Sequence, residues 1–358
     1  MPAPLAAIDF PSRHQRVCAR MDAGGFDHLV VAGRATVPYL ANLQAAAGTC
    51  VVLARSGTCT PVTAQPGRSI GDTVAELVGT GPRTVGLDSG VHWGLARALQ
   101  DRNNAVTVGS CEPLLGGVMS IKEPAEIERL RMANNLADIG YTAVLDRLHP
   151  EMSEYLMFGN VLRSVRAGGS DQHWSPSSEL PPDLKLVSHY PEHGMVSLLD
   201  HYPSQGAIRE DSLLKFGLYP RFDHYCGAVA ATVCFGRPPA GLKALGEACA
   251  AAAQAAIDAI RPGAEARDVH RAYASVMEKA GHAELVAPNV GFGIGTGVIA
   301  PTLAADDRTV LTAGMVLCIN AVARRSSEEG IVLQTSVLVT DEGRERLNQI
   351  PLRLIELH

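Results

Sequence analysis

The side chains best suited to move protons in this 358-residue chain are the histidines of two His-Tyr-Pro tripeptides, His189 and His201. An imidazole titrates near neutrality, so it can protonate a leaving nitrogen or activate water, an effect of roughly 10²–10⁴-fold in rate. The competing reading is a loop histidine satisfied by hydrogen bonds. Lys215 stands two residues before Gly217. The two share strand parity, so Lys215 could anchor a substrate carboxylate on that face or snorkel to solvent. Asp223 and His224 fall in a turn-rich gap at 219–224, where Asp and His are common for backbone reasons and a substrate contact is the alternative. Arg324-Arg325 reads as a solvated pair after a strand, with an anionic ligand as the other possibility. The string Gly291, Gly293, Gly295, Gly297 lacks the strand-turn-helix setting that a phosphate loop requires.

These residues need elements to hold them. Two apolar runs, Leu213–Leu218 and 225–235, flank the gap and suit a hairpin. Later apolar runs at 290–297, 315–323 and Gly330–Thr340 read as strands. Helical spacing of apolar residues predicts helices at 240–261 and 264–281, the first stopped by Arg261-Pro262-Gly263. Upstream, Pro124 sits at a helix start with acidic residues in its first turn, and Ile127, Leu130, Leu136, Ala137, Val144 and Leu148 carry that helix to His149-Pro150. A second helix follows at 152–165. The Gly-, Ser- and Pro-rich stretch 168–184 reads as a long loop, either a lid over a pocket or a solvated connector. Before residue 120 the pattern alternates: helix 16–24, strand 26–32, strand Thr49–Ala54, helix 69–78, strand 84–87, helix 92–100. That is a small α/β unit.

The hairpin, the Lys122-x-Pro124-x-Glu126-Ile127 entry and the run Gly314-Met315-Val316 resemble the metallopeptidase family of methionine aminopeptidase, aminopeptidase P and creatinase, the M24 or pita-bread family. The resemblance implies an α/β (α+β) chain. Residues 121–358 form a pita-bread domain with a curved antiparallel sheet, and 1–120 a smaller creatinase-like α/β domain. The family holds two metals with Asp, Asp, His, Glu and Glu. Laid on that pattern, those positions fall at Gly217, Ala228, Phe292, Asn320 and Gln334. Divalent metals there need carboxylate oxygens and imidazole nitrogen, so the resemblance implies a site without metal or other cofactor. Neutralising the carboxylates along with the metals avoids crowding like charges, which points to a remodelled pocket. Phe292 would be an apolar wall, and Asn320 and Gln334 oriented donors and acceptors. The family also places a histidine before the first aspartate position, and His201 fits that distance better than His189. Creatinase uses this histidine for proton transfer and likewise has alanine at the second aspartate position. It keeps the later histidine and the first glutamate, which puts creatine hydrolysis itself in doubt here.

Composition bounds the rest. A formal charge of −6 and 19% charged residues show no basic stripe for nucleic acid. Eight cysteines without a Cys-x-x-Cys read as reduced buried thiols in a cytoplasmic protein. The start has no signal-peptide pattern, and the Ala-rich stretch 248–260 is too short to span a bilayer. The expectation is a metal-independent C–N bond hydrolase or lyase using His201 as general acid/base on a small polar molecule. Phe292, Asn320, Gln334, Lys215 and His224 would bind the substrate, and specialised-metabolite biosynthesis is a fitting role. Homodimerisation is implied by the family alone. The alternative is a catalytically inactive pseudo-aminopeptidase serving as a binding or scaffold protein.

Overall fold

The computed structural model describes residues 5–43, 48–170, 184–189, 213–325 and 330–357. The chain divides into two compact units, Met1–Ser120 with Gly295–Ala300 and Ile121–Ile294 with Pro301–His358. The first unit runs α1 (Phe10–Gly24), β1 (His28–Val31), α2 (Thr36–Ala41), β2 (Thr49–Ala54), β3 (Cys59–Thr63), α3 (Ile70–Val78), β4 (Arg83–Leu87), α4 (Trp93–Arg102), β5 (Val106–Ser110) and α5 (Glu112–Ser120). Its sheet has the order β3-β2-β1-β4-β5, with β1, β4 and β5 mutually parallel and β2 and β3 joined by antiparallel pairing. Leu29 and Val31 enter one core with Val17, Met21 and Leu115; Val30 enters the other with Val74, Val85 and Leu99. Burial on both faces explains why the strand reads as an unbroken apolar run.

Helix α1 starts earlier than the apolar spacing indicates. The Asp9 carboxylate accepts from the Ser12 N–H at 3.1 Å, and Pro11 occupies the first turn. Both are start signals written in the sequence. Helices α2 and α5 and strands β3 and β5 are additions to the expected pattern. They are short, and their apolar residues are completed by neighbours distant in sequence.

The second unit opens with α6 (Pro124–Arg147) and α7 (Glu154–Ala167), then β6 (Leu184–His189), β7 (Leu213–Leu218), β8 (Arg221–Phe222), β9 (Tyr225–Cys226) and β10 (Val229–Phe235). There follow α8 (Ala240–Ala259), α9 (Ala266–Lys279), β11 (Asn289–Ile294), β12 (Val298–Ala304), β13 (Val316–Arg324), β14 (Gly330–Thr340), β15 (Gly343–Arg346) and β16 (Ile355–Leu357). The main sheet has the order β12-β11-β13-β14-β10-β7-β6, with β15 paired to β14 and β16 parallel to β10. One face is covered by helices. Leu214, Phe216, Leu218, Val229, Ala231 and Val233 pack with α6 and α7, while Leu317, Ile319, Ala321, Ile331 and Leu333 pack with α8 and α9. On α8 the contact stripe is Ala248, Cys249, Ala252, Ala253 and Ala256, small side chains that let the helix lie close to the strands. A mixed α/β chain with a large antiparallel sheet agrees with the expected fold class. None of the described helices is long and apolar enough to cross a membrane.

Two expected strands are corrected. The run 225–235 is broken between β9 and β10, and β9 pairs with β8 in a separate small hairpin. Its two central residues, Asp223 and His224, have φ of 46° and 72°, a left-handed pair that Asp and His tolerate. The break is at Gly227, where a Cβ would lie 2.1 Å from the Ala133 carbonyl oxygen of α6. Only glycine lets the chain pass the helix that closely. The run 290–297 ends as a strand at Ile294, and β12 begins after it.

Candidate functional site

The side chains opposite the helix-covered face are set by register. Asn320 on β13 pairs with Gln334 on β14, Gln334 with Ala230 on β10, and Ala230 with Gly217 on β7. Cross-strand partners share a face with Cβ atoms about 4.5–5.5 Å apart, so these four form a row. One step along, Phe292 on β11 pairs with Cys318 on β13. Ala228 joins the same apolar cluster as Phe292, Cys318, Ile294 and Tyr219, and its carbonyl accepts from the Ser336 hydroxyl at 3.5 Å. Gly217, Ala228, Phe292, Asn320 and Gln334, scattered over more than a hundred residues, therefore converge on one face.

Ala228 is held by a buried amide network. Its N–H donates to Asn134 Oδ1 at 3.2 Å, and Asn134 Nδ2 donates to the Leu130 carbonyl at 2.8 Å within α6. Asn348 Oδ1 accepts from the Ser336 N–H at 2.8 Å, while its Nδ2 donates to Asp138 Oδ1 at 3.0 Å. Thr232 ties β10 to β14. Its hydroxyl accepts from the Val332 N–H at 2.8 Å and donates to the Val332 carbonyl at 3.1 Å.

Tyr219 is the residue that sequence reasoning missed. It follows β7, and its ring folds back over Gly217, with ring and hydroxyl atoms 3.1–3.4 Å from where a Cβ at 217 would stand. The space for a side chain at Gly217 is thus filled by a phenol two residues away. The signal was present as an aromatic residue sharing parity with a glycine, but parity alone does not say that a ring turns back along the strand. Burial raises the Tyr219 pKa, the neighbouring Cys318 raises it further, and a hydrogen bond with the Gln334 side chain opposes both. Burial likewise raises the Cys318 thiol, against a hydrogen bond from Gln334. Both groups are neutral at physiological pH. Gln334 is 2% exposed, and its Oε1 is a buried acceptor without a hydrogen-bond partner.

Lys215 lies on the face of Gly217, opposite Thr232. At 3% exposure it is no surface lysine, so the snorkelling reading is corrected. Burial, then repulsion from Arg324, lowers its pKa to about 8. His224 sits at the tip of the β8–β9 hairpin, where the turn's backbone accounts for its presence. His201 lies outside the described residues, as does most of the stretch 168–184 read as a lid or connector. His189 ends β6.

The five converging positions do not fit a dinuclear metal centre. They offer two amide oxygens and no anion. The nearby phenol and thiol stay protonated, and the ring of Tyr219 takes up ligand space. Hard divalent ions take carboxylate oxygen or imidazole nitrogen, and a bound metal needs its thiol ligands ionised. Among the described residues, no three of His, Cys, Asp and Glu come together as a metal cluster.

The family profile of metallopeptidase family M24 matches residues 128–341. The chain is similar to an Xaa-Pro dipeptidase of Pyrococcus horikoshii, 23% identical over 277 residues that cover 77% of this chain and 76% of the relative. Among solved structures it resembles dipeptidase PepE from Mycobacterium ulcerans, with a TM-score of 0.82, 22% identity and coverage of 98% and 99% of the two chains. It also resembles the N-terminal domain of the FACT complex subunit SPT16 from chickpea, with a TM-score of 0.72, 15% identity and coverage of 94% and 95%. With the profile spanning more than half the chain and the sheet built as that family builds it, this protein belongs to metallopeptidase family M24.

Proposed function

We propose that this chain is a metal-independent member of its family, acting on a small polar molecule as a C–N bond hydrolase or lyase. The carrying observation is the Tyr219 ring standing where a side chain at Gly217 would project, at the end of a row formed with Ala230, Gln334 and Asn320 and beside Phe292 and Ala228. In a metal-dependent peptidase the ion polarises the scissile carbonyl and supplies activated water. Here His201 takes over proton handling, protonating the leaving nitrogen or deprotonating water. Phe292, Asn320, Gln334 and Lys215 hold the substrate, with His224 at the margin of the site. The relatives' name points to dipeptides ending in proline as the comparison substrates. We assign the protein a homodimeric, cytoplasmic state and a role in small-molecule metabolism on the family pattern.

A second reading is favoured by one observation: Tyr219, Phe292, Cys318, Ile294 and Ala228 belong to one apolar cluster beside the row. A cluster of that kind suits a binding or scaffold protein that has lost catalysis. The test is metal analysis of the purified protein together with assays on Xaa-Pro dipeptides supplemented with manganese or cobalt. Guanidino, amide and cyclic-imino compounds are assayed in parallel, with wild type and His201→Ala. The enzyme reading expects no stoichiometric metal, and turnover of one compound class that His201→Ala reduces at least about 100-fold. Stoichiometric metal with Xaa-Pro cleavage overturns it. Tight binding without turnover of any compound favours the second reading.

A further inference from the structure

Gln334 has a feature that the fold leaves unexplained: its side-chain oxygen is buried and unpaired. Leaving such an acceptor without a donor is destabilising, and a buried orphan in a fold calls for a group to fill it. Its neighbour Tyr219 carries a neutral hydroxyl and is only half-buried, as are Phe292 and Asn320. Tyr219 shares a hydrogen bond with Gln334, and Asn320 is the cross-strand partner of Gln334, so the acceptor lies next to partly exposed side chains.

The charge balance of this face restricts what can approach. Gly217, Ala228, Ala230, Phe292, Cys318, Asn320 and Gln334 carry no carboxylate. Lys215 lies two residues along β7 from Gly217, and Arg324 is close enough to Lys215 to lower its pKa. A guanidinium, amidinium or ammonium group placed here would be desolvated in a row that carries no carboxylate to balance it. A neutral group that both accepts and donates meets no such penalty. It can take the Tyr219 O–H on its carbonyl and give its N–H to Gln334 Oε1.

We propose that Tyr219 and Gln334 form a binding subsite for an uncharged amide bearing an N–H, such as a lactam, carboxamide or carbamoyl group, with Lys215 favouring a ligand that also carries a carboxylate. This deepens the small-polar-molecule reading and rests on it. It also selects within that reading, setting neutral amides above guanidino compounds and above acyl-proline bonds, whose nitrogen has no hydrogen to donate.

Ligand-observed NMR titration tests it with four probes: 2-pyrrolidinone, its cationic isostere 2-iminopyrrolidine, pyroglutamate and N-acetylproline. The expected order is pyroglutamate tightest, then 2-pyrrolidinone, with 2-iminopyrrolidine and N-acetylproline each weaker than its lactam counterpart by about tenfold or more. Tyr219→Phe weakens the lactams by about fivefold to tenfold. Gln334→Glu, which restores an anion with little change of shape, reverses the preference towards 2-iminopyrrolidine. Equal or tighter binding of 2-iminopyrrolidine by wild type, unaltered lactam binding in both variants, or no lactam binding at all overturns the subsite. Metal analysis of the same sample separates the two ideas. Stoichiometric metal sinks the metal-independent reading, whereas a metal-free protein that prefers the cation sinks only this subsite.

Discussion

Lys215 shows how a single charge is tuned by where its strand places it. It is buried on the same face as Gly217, and desolvation followed by repulsion from Arg324 brings its pKa down to about 8. An unfolded lysine titrates near 10.4. Between about pH 8 and that value the unfolded chain binds a proton that the folded chain does not, so this residue's contribution makes stability rise with pH through that window, by at most about 1.4 kcal/mol per unit. Below about pH 8 both states are protonated and the slope vanishes. Lys122 is also buried and lowered, to about 7, by desolvation against the attraction of Glu126, so the wild-type curve alone does not isolate Lys215. The difference between wild type and Lys215→Met does. Urea denaturation from pH 6 to 10 should show the variant's stability advantage largest at the acid end and shrinking above about pH 8. A pH-independent difference would refute the assignment. The Tyr219–Gln334 pair belongs to the same scale, since a glycine at 217 matters here for the ring that it admits.

At the scale of elements, the site is aligned by a helix passing a strand break. Gly227 separates β9 from β10 because α6 lies against it, and the Ala228 N–H then reaches Asn134 on that helix at 3.2 Å. Adding a methyl group at 227 forces α6 away from the strand, because the atom it meets is backbone. Gly227→Ala should lose at least about 2 kcal/mol in chemical denaturation. The displacement should also shift the environment of Tyr219 and Phe292, read by near-ultraviolet circular dichroism. An unchanged midpoint would show that the helix yields without cost. The same element carries the Glu123–Glu126 capping box, with Pro124 at its start, and Glu126 also accepts the Tyr225 hydroxyl at 2.9 Å. The start signal read in the sequence is thus tied into the strand that leads to the break.

For the whole molecule, the absence of anionic donors among the described residues of the converging face has a thermodynamic consequence. A ligand that binds only the folded state raises its stability, and removing it lowers the melting temperature. Chelation with EDTA should therefore leave the melting temperature within about 1 °C, and adding manganese, cobalt or zinc should not raise it. A drop of many degrees on chelation would show a bound ion after all. The fold class was legible in the sequence through its resemblance to the family, because the Lys-x-Pro-x-Glu-Ile entry and the strand patterns that carry it are local; the same resemblance singled out Gly217, Ala228, Phe292, Asn320 and Gln334 as expected site positions. The sequence also implied that Lys215 and Gly217 share a face, since strand parity is a property of the backbone. Only the tertiary structure decided that Asn320, Gln334, Ala230 and Gly217 line up in one row, that the row ends under the ring of Tyr219, and that Lys215 is buried. Those facts depend on register between strands far apart in sequence and on which way a side chain turns, and neither is encoded in any single stretch of the chain.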